Sequence, residues 1–361
     1  MIRFLHAADL HLDSPFASLT PAQAAIRRKE QLELLQSLTD AANAHECDLV
    51  LLSGDLFDAD DAYPETVQAL SRALAGMRAE VFLAPGNHDY LAPGSAYLTH
   101  DWPENVHIFT EQSAGYCELP EINCRVWGAG FTCAHSGPLL DGFSAPEDGV
   151  IDLMVLHGDA MNAESAYNPI TKRQIEHSNL NYLALGHIHQ ASGLLRAGKT
   201  AYAWPGCAMG RGFDELGEKG AYLGTLDESD CRLDFLPLSK RRYEILRVAA
   251  GDDALAAVMA ALPEDTQNDI YRIIFTGESE PVDVRALYTS LRARFFGLTL
   301  RDETTPRRNL WAGCEDDTLQ GLFLRALKSR YDTAQSEEER QTVALAARYG
   351  VAALEERTVE L

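Results

Sequence analysis

A chain of 361 residues, 46% hydrophobic and 24% charged, is too long for one small domain and too apolar for wholesale disorder, and suits one large domain with appendages. Its formal net charge of -23 speaks against autonomous binding of nucleic acid through a basic surface, since phosphate contacts rest on Lys and Arg. Phosphate chemistry at a metal centre stays open, because two divalent cations bring about four positive charges to one point and reverse the local field there.

Residues 2–8 are an apolar run ending at Asp9, which reads as a buried strand whose carboxyl end delivers polar residues to a site. Residues 22–44 follow with helical spacing and Leu32, Leu35, Leu38 and Ala42 on one face. Residues 48–53 read as a second buried strand, with Gly54 and Asp55 at its end. A helical segment over 64–77 leads to a strand at 81–84, closed by Pro85, Gly86, Asn87, His88 and Asp89. Further strands are predicted at 106–109, 124–129, 153–156, 182–185 and 201–204. In layered α/β proteins, ligands gather beyond the carboxyl ends of strands, and each polar cluster here falls at such an end.

Beyond Lys240, Arg241 and Arg242 the pattern changes. Strands at 243–248, 270–276 and 297–301 alternate with helices at 253–262 and 282–295, a small α+β unit. Residues 304–308, with Pro306, resemble a linker, and 318–361 read as two helices joined around Ser336. The expected organisation is a catalytic domain over 1–240, a small α+β domain over 241–303, and a linker with C-terminal helices over 304–361.

The opening residues run straight into a strand carrying His6, Asp9 and His11, which argues against a cleaved signal peptide. No apolar run reaches the roughly 18 residues of a membrane span. The expectation is a cytoplasmic protein with no membrane partner. Seven scattered cysteines, an odd number without CxxC pairing, are expected to be reduced and mostly buried.

The chemistry lies in five short motifs. Asp9-Leu10-His11 sends a carboxylate and an imidazole to one side of a strand end. Gly54-Asp55-Leu56-Phe57-Asp58 supplies a close turn and a carboxylate able to bridge two cations. Gly86-Asn87-His88-Asp89 adds an amide oxygen and an imidazole, His157-Gly158 another imidazole, and Gly186-His187-Ile188-His189 two more. Asp9, His11, Asp55, Asn87, His157, His187 and His189 make a mixed nitrogen and oxygen set that suits Mn, Fe or Zn better than Ca or Mg. If Asp55 bridges, two ions about 3.5–4 Å apart each have four protein ligands, the arrangement for phosphoryl hydrolysis. His88 is surplus to the ligand set and is the candidate for protonating the leaving oxygen, with Asp89 orienting its ring.

The series DLH, GDLFD, GNHD, HG and GHIH resembles the calcineurin-like metallophosphoesterases. The opening LHAADLHLDSPF, Trp204-Pro205-Gly206, Gly212-Phe213-Asp214-Glu215 and Lys219-Gly220 look like the SbcD and YhaO branch, the DNA repair exonucleases. The resemblance covers about residues 1–240. It implies a four-layered α/β architecture, a β-sandwich flanked by helices, with a small α+β capping domain that helps select DNA. It further implies C-terminal helices docking on an SMC-like ATPase, a homodimer, and manganese as the metal. One ion would take Asp9, His11, Asp55 and His189, the other Asp55, Asn87, His157 and His187, with His88 as the catalytic histidine. The chain departs from the better-known nucleases at Asp58, where they carry a histidine that assists exonuclease action, and the acidic run 60–64 follows it.

Candidate DNA contacts are Lys172, Arg173, Arg196, Lys199, Arg211 and the run Lys240-Arg241-Arg242, with Arg211, between two glycines, the foremost. A small-molecule phosphatase or cyclic-nucleotide phosphodiesterase is the alternative that the acidic balance favours. On the C-terminal helices, Leu319, Leu322, Phe323, Leu324, Leu327, Val343, Ala347, Tyr349 and Val351 fit either partner docking or packing within their own domain.

Overall fold

A computed structural model describes residues 1–59, 61–227, 230–306 and 309–354. Asp60 of the acidic run, Arg307 and Arg308 of the expected linker, and 355–361 of the expected last helix lie outside the described residues. The chain forms two compact units, one of residues 1–246, 263–272 and 290–299, the other of 247–262, 273–289 and 300–361.

In the first unit the elements run β1 (Ile2–Ala7), α1 (Pro21–Ala44), β2 (Leu49–Leu52), α2 (Pro64–Ala75), β3 (Glu80–Leu83), α3 (Ala96–Thr99), β4 (Val106–Ile108), β5 (Gly115–Leu119) and β6 (Cys124–Gly128). They continue as β7 (Ile151–His157), α4 (Lys172–His177), β8 (Tyr182–Gly186), β9 (Leu195–Ala197), β10 (Thr200–Ala203), β11 (Gly220–Leu226) and β12 (Cys231–Pro237). Two six-stranded sheets result, ordered β12-β11-β1-β2-β3-β4 and β5-β6-β7-β8-β10-β9. Strands β1 to β4 pair in parallel, as do β6, β7, β8 and β10. Antiparallel strands add to the edges: β11 and β12 beside β1, β5 beside β6, and β9 beside β10.

The continuous apolar strands of this sequence are buried on both faces, as parallel sheets require. Phe4, Leu49, Leu51 and Phe82 meet Val126, Leu153, Val155, Tyr182 and Ala184 between the sheets. Their alternates Leu5, Val50, Leu52, Val81 and Leu83 face Leu34, Leu35, Leu38 and Ala42 of α1 and Val67, Leu70 and Leu74 of α2. On the second sheet, Met154, Leu156, Leu183 and Leu185 pack with Leu140, Ile170, Ile175 and Trp204. This period of two is the strand geometry that sends successive side chains to opposite faces. Each fully buried Leu, Val or Phe contributes about 1.5–3 kcal/mol. The fold is the mixed α/β sandwich of four layers expected from the sequence.

Helix α1 begins in a capping box between Thr20 and Gln23, with Pro21 in its first turn. Leu32, expected on its buried face, is exposed. The buried stripe passes through Ala24, Arg27, Gln31, Leu34, Leu35, Leu38 and Ala42, and at 3.6 residues per turn Leu32 falls beside that stripe.

Later elements are β13 (Tyr243–Ala249), α5 (Ala254–Ala261), β14 (Ile270–Thr276), β15 (Glu278–Ser279), α6 (Val284–Leu291), β16 (Gly297–Asp302), β17 (Thr305–Pro306), α7 (Leu319–Thr333) and α8 (Glu337–Leu354). Strands β13, β14 and β16 form a three-stranded sheet. The helix expected over 282–295 is shorter, α6 giving way to a 3-10 turn at Arg292–Arg294. Within the expected linker, Thr305 and Pro306 pair with β15 in parallel. In the second unit Leu324 and Ala347 are buried between α7 and α8 with Phe323, Leu327 and Val351 against them, while Leu319, Leu322, Leu345 and Tyr349 are exposed.

All seven cysteines are free, five of them buried, with Cys117 intermediate and Cys133 exposed. No helix among the described residues is long and apolar enough to cross a membrane.

Candidate metal centre

Each cluster of polar residues leaves the core at the carboxyl end of a parallel strand. Asp9 and His11 follow β1, Asp55 follows β2, and Asn87 and His88 follow β3, all in the first sheet; His157 ends β7, and His187 and His189 follow β8, in the second. The loops after β1 and β2 stay in register beyond the strands. Asp9 donates its amide to the Gly54 carbonyl at 3.1 Å and His11 to the Asp55 carbonyl at 3.0 Å.

The backbone is strained here. Asp9 (φ 51), His11 (φ 43), Asp55 (φ 50) and His187 (φ 89) all occupy the left-handed region, which non-glycine residues enter at a cost of about 1–3 kcal/mol and which clusters at functional sites. Gly54 and Gly86 provide the room. A Cβ on Gly54 would lie 2.6 Å from His157 Nδ1, and one on Gly86 only 2.2 Å from Asp55 Oδ1.

The seven side chains named as ligands converge. Ligand atoms of Asp9, His11 and His189 all lie within 4.8 Å of one another, as do those of Asp9, Asp55 and His157. Asn87 Oδ1 lies 3.0 Å from His157 Nε2 and 3.1 Å from His187 Nδ1. Asp55 Oδ2 faces both groups, 3.3 Å from His157 Nε2 and 3.9 Å from His11 Nε2. Backbone amides fix the carboxylates: the His187 amide donates to both oxygens of Asp9 at 3.1 Å, and the His88 amide to Asp55 Oδ1 at 2.9 Å.

This donor set fits divalent cations. His157 donates from Nδ1 to the Ser53 carbonyl at 2.9 Å, so in its neutral, metal-binding form the ring would turn the Nε2 lone pair toward the oxygens of Asp55 and Asn87. His11 Nε2 and His189 Nε2 lie 3.3 Å apart, while their Nδ1 atoms face Asp58 and Glu215 at 3.1 and 2.8 Å. Acceptors aimed at acceptors in a buried pocket are costly without positive charge between them. The electrostatics of these groups agrees with a site built around positive charge. Burial works against the charged His157 ring, yet Asp55 and Asp9 lift it to about 9. Burial also opposes ionisation of Asp55, but His157, His11 and His88 hold it below the usual carboxylate range. His189 is raised, its burial outweighed by Glu215 and Asp9, while burial and His157 lower His187.

His88 is exposed beside the cluster. Its Nδ1 donates to the Asp58 carbonyl at 3.1 Å, and its ring meets that of His11 edge-on at 4.9 Å. Asp89 does not orient His88 as expected. The buried carboxylate turns the other way, accepting from the amides of Asp55 (3.2 Å), Leu56 (2.7 Å), Phe57 (3.3 Å) and Gly86 (2.7 Å), and from the Tyr97 hydroxyl. The tight backbone turn at Asp55 presents converging N–H groups that need an acceptor, and Asp89 is the anion within reach.

Among the candidate DNA contacts, Arg211 stands next to the centre, with Nη1 2.8 Å from Asp58 Oδ1 and Nη2 2.7 Å from Glu215 Oε1. Arg196 pairs with Asp230, Lys240 with Glu33, Arg241 with Glu30, and Arg242 with Asp269. Lys172 and Arg173 open α4 and are exposed, as is Lys199; no hydrogen bond or ion pair joins them to the cluster. Sequence reasoning missed Glu215 and Ser53 as partners of the candidate ligand imidazoles His189 and His157. Glu215 left two traces, its place in the Gly212-Phe213-Asp214-Glu215 motif and its spacing of four from Arg211; Ser53 acts through its backbone, which no side-chain pattern reveals.

Residues 2–191 match the Metallophos family, described as Calcineurin-like phosphoesterase. The chain is 31% identical over 301 residues to the "Uncharacterized metallophosphoesterase YhaO" of Bacillus subtilis (strain 168), a match covering 79% of this chain and 71% of that protein. Among solved structures, the protein TT1561 of Thermus thermophilus is 13% identical, with 65% of this chain and 98% of that one covered and a TM-score of 0.40. With more than half of its length matched to the family, the chain belongs to the calcineurin-like metallophosphoesterases, whose chemistry is the metal-dependent hydrolysis of phosphoesters.

Proposed function

We propose that the protein is a two-metal phosphodiesterase that cleaves DNA in repair, with manganese as its metal and iron or zinc as the alternatives by ligand type. The observation that carries this reading is the convergence of two buried carboxylates, an amide oxygen and four imidazoles from the strand ends of both sheets. Asp9, His11, Asp55 and His189 would hold one ion, and Asp55, Asn87, His157 and His187 the other. When bound, such a pair stabilises the attacking and leaving oxygens of a phosphoryl displacement. The chain's own contribution is orientation and a proton. With Nδ1 of His88 donating to the Asp58 carbonyl, Nε2 is the atom that delivers a proton to the leaving oxygen. Asp89 acts one step removed, holding the turn that aims Asp55.

The DNA assignment rests on the resemblance to repair nucleases. A partner follows from the same resemblance: an SMC-like ATPase docking on α7 and α8, supported by the exposed Leu319, Leu322, Leu345 and Tyr349, in an assembly built on a homodimer.

A small phosphodiester as substrate is the second reading. It is favoured by the ion pairs of Arg196, Arg211, Lys240, Arg241 and Arg242, each facing a carboxylate, and by Asp58 at the nuclease histidine position. Metal-stripped protein, with and without added manganese, is offered bis-p-nitrophenyl phosphate and end-labelled linear and hairpin DNA. Cleavage of both substrates is the expected result. Cleavage of the small ester alone, persisting when the ATPase is added, supports the second reading, and cleavage of neither overturns both.

A further inference from the structure

The two halves of the centre differ in what stands close behind their imidazoles: in one, His187 Nε2 has, among the described residues, only the distant Asp159 Oδ2, at 3.9 Å. His157 donates to a neutral backbone carbonyl, that of Ser53. His11 and His189 instead turn their Nδ1 atoms to carboxylates, Asp58 Oδ1 at 3.1 Å and Glu215 Oε1 at 2.8 Å. One guanidinium joins these two carboxylates, with Arg211 Nη1 2.8 Å from Asp58 and Nη2 2.7 Å from Glu215. His11 follows a strand of the first sheet and His189 a strand of the second. The series His11, Asp58, Arg211, Glu215, His189 therefore runs at ion-pair distances from one sheet to the other behind the metal-facing nitrogens, with the His11 Nδ1 contact to Asp58 its weakest link, since that buried nitrogen makes no hydrogen bond among the described residues.

The loop carrying Arg211 is itself tied down. Arg27, fully buried, donates to the Gly210 carbonyl at 2.8 Å, and the Arg211 amide donates to Glu215 Oε2 at 2.6 Å. Lys219, also buried, donates to the His189 carbonyl at 2.9 Å. Glu215 is buried as well. A buried carboxylate between an imidazole and a guanidinium holds one geometry, because any rotation leaves a charge without a partner. A carboxylate behind a ligand imidazole also fixes its tautomer and raises its basicity.

We propose that Arg211, with Asp58 and Glu215, is a positioning clamp that sets the orientation of His11 and His189 and so the metal affinity of that half of the centre alone. Arg211 is then a positioning residue, and Asp58 has a second role in this chain besides occupying the nuclease histidine position. The proposal rests on the reading of His11 and His189 as metal ligands.

The test is a manganese titration of the metal-stripped full chain, with bound ions counted from the free-ion paramagnetic resonance signal. Wild type is expected to bind two ions. Arg211→Met is expected to weaken one of them about 10- to 100-fold, the range for loss of a partner behind a metal ligand, and to leave the other unchanged. Arg211→Lys should recover part of the loss, which a general structural role does not explain. Glu215→Gln keeps the side chain's size and should weaken the same ion, which keeps the test decisive if Arg211→Met fails to fold. Two ions bound with wild-type affinity in folded Arg211→Met and Glu215→Gln overturn the clamp alone. Binding of no manganese by wild type overturns the metal reading and the clamp with it.

Discussion

Asp55 Oδ2 lies 3.3 Å from His157 Nε2, so the residue that follows β2 in one sheet touches the residue that ends β7 in the other. This contact closes the sandwich at the end where its parallel strands finish, and it places one carboxylate oxygen between the two halves of the candidate centre. The left-handed backbone at Asp55 (φ 50) is part of the same arrangement, since an extended residue would carry its side chain elsewhere.

Asp55→Ala removes the group that faces both halves. Manganese affinity is expected to fall by more than the 10- to 100-fold loss typical of a partner behind a ligand, and turnover to disappear with it. Metal counting on the purified variant checks this. Two ions bound with wild-type affinity would show that Asp55 does not bridge.

His88→Ala separates metal binding from proton transfer. Both ions should remain while turnover falls about 10²- to 10⁴-fold, the usual contribution of a positioned general acid. The loss should be smaller for esters with good leaving groups, which need no protonation. Near-normal turnover on a poor leaving group would remove His88 from the mechanism.

Asp89→Ala tests a structural role for a residue that the sequence suggested as catalytic. Four backbone amides and the Tyr97 hydroxyl lose their acceptor. With each buried donor left unpaired costing about 1–3 kcal/mol, urea denaturation should show a loss of about 3 kcal/mol or more. Tyr97→Phe, which removes one donor, should cost about 1 kcal/mol.

His157 gives the pH dependence. Burial opposes its charge, but Asp55 and Asp9 raise it to about 9 from an ordinary 6.5, and an imidazole must be neutral to bind a metal. Manganese affinity of the stripped protein should therefore rise with pH across that window, with proton release visible in calorimetry performed in buffers of different ionisation enthalpy. Stability of the stripped protein runs the other way. Because the folded value lies above the unfolded one, the imidazolium's contribution is fully present below about 6.5 and is lost as pH rises through about 9. His157→Gln should weaken both trends, leaving the part carried by His189, which Glu215 and Asp9 also raise.

The parallel strands were legible because burial on both faces makes them continuous apolar runs, as at Leu49–Leu52 and Tyr182–Gly186. The antiparallel strands β5, β9, β11 and β12 were not. β5 (Gly115–Leu119) and β12 (Cys231–Pro237) alternate buried or half-buried with exposed positions over short stretches containing Glu118, Arg232 and Asp234, and β9 has only three residues. The ligand motifs could be read because each donor set sits within a few residues of a strand end. Asp89 was misread because adjacency in sequence to His88 says nothing of direction, and its carboxylate answers to amides more than 30 residues upstream. Glu215 and Asp58, separated by most of the first unit, are brought together through Arg211 by folding.

The central claim is that this end of the sandwich holds two metal ions, and anomalous diffraction from crystals of the protein grown with manganese tests it most directly. Two peaks are expected, one among Asp9, His11 and His189 and one among Asn87, His157 and His187, with Asp55 reaching both. A single peak, or manganese bound away from these side chains, would contradict the account.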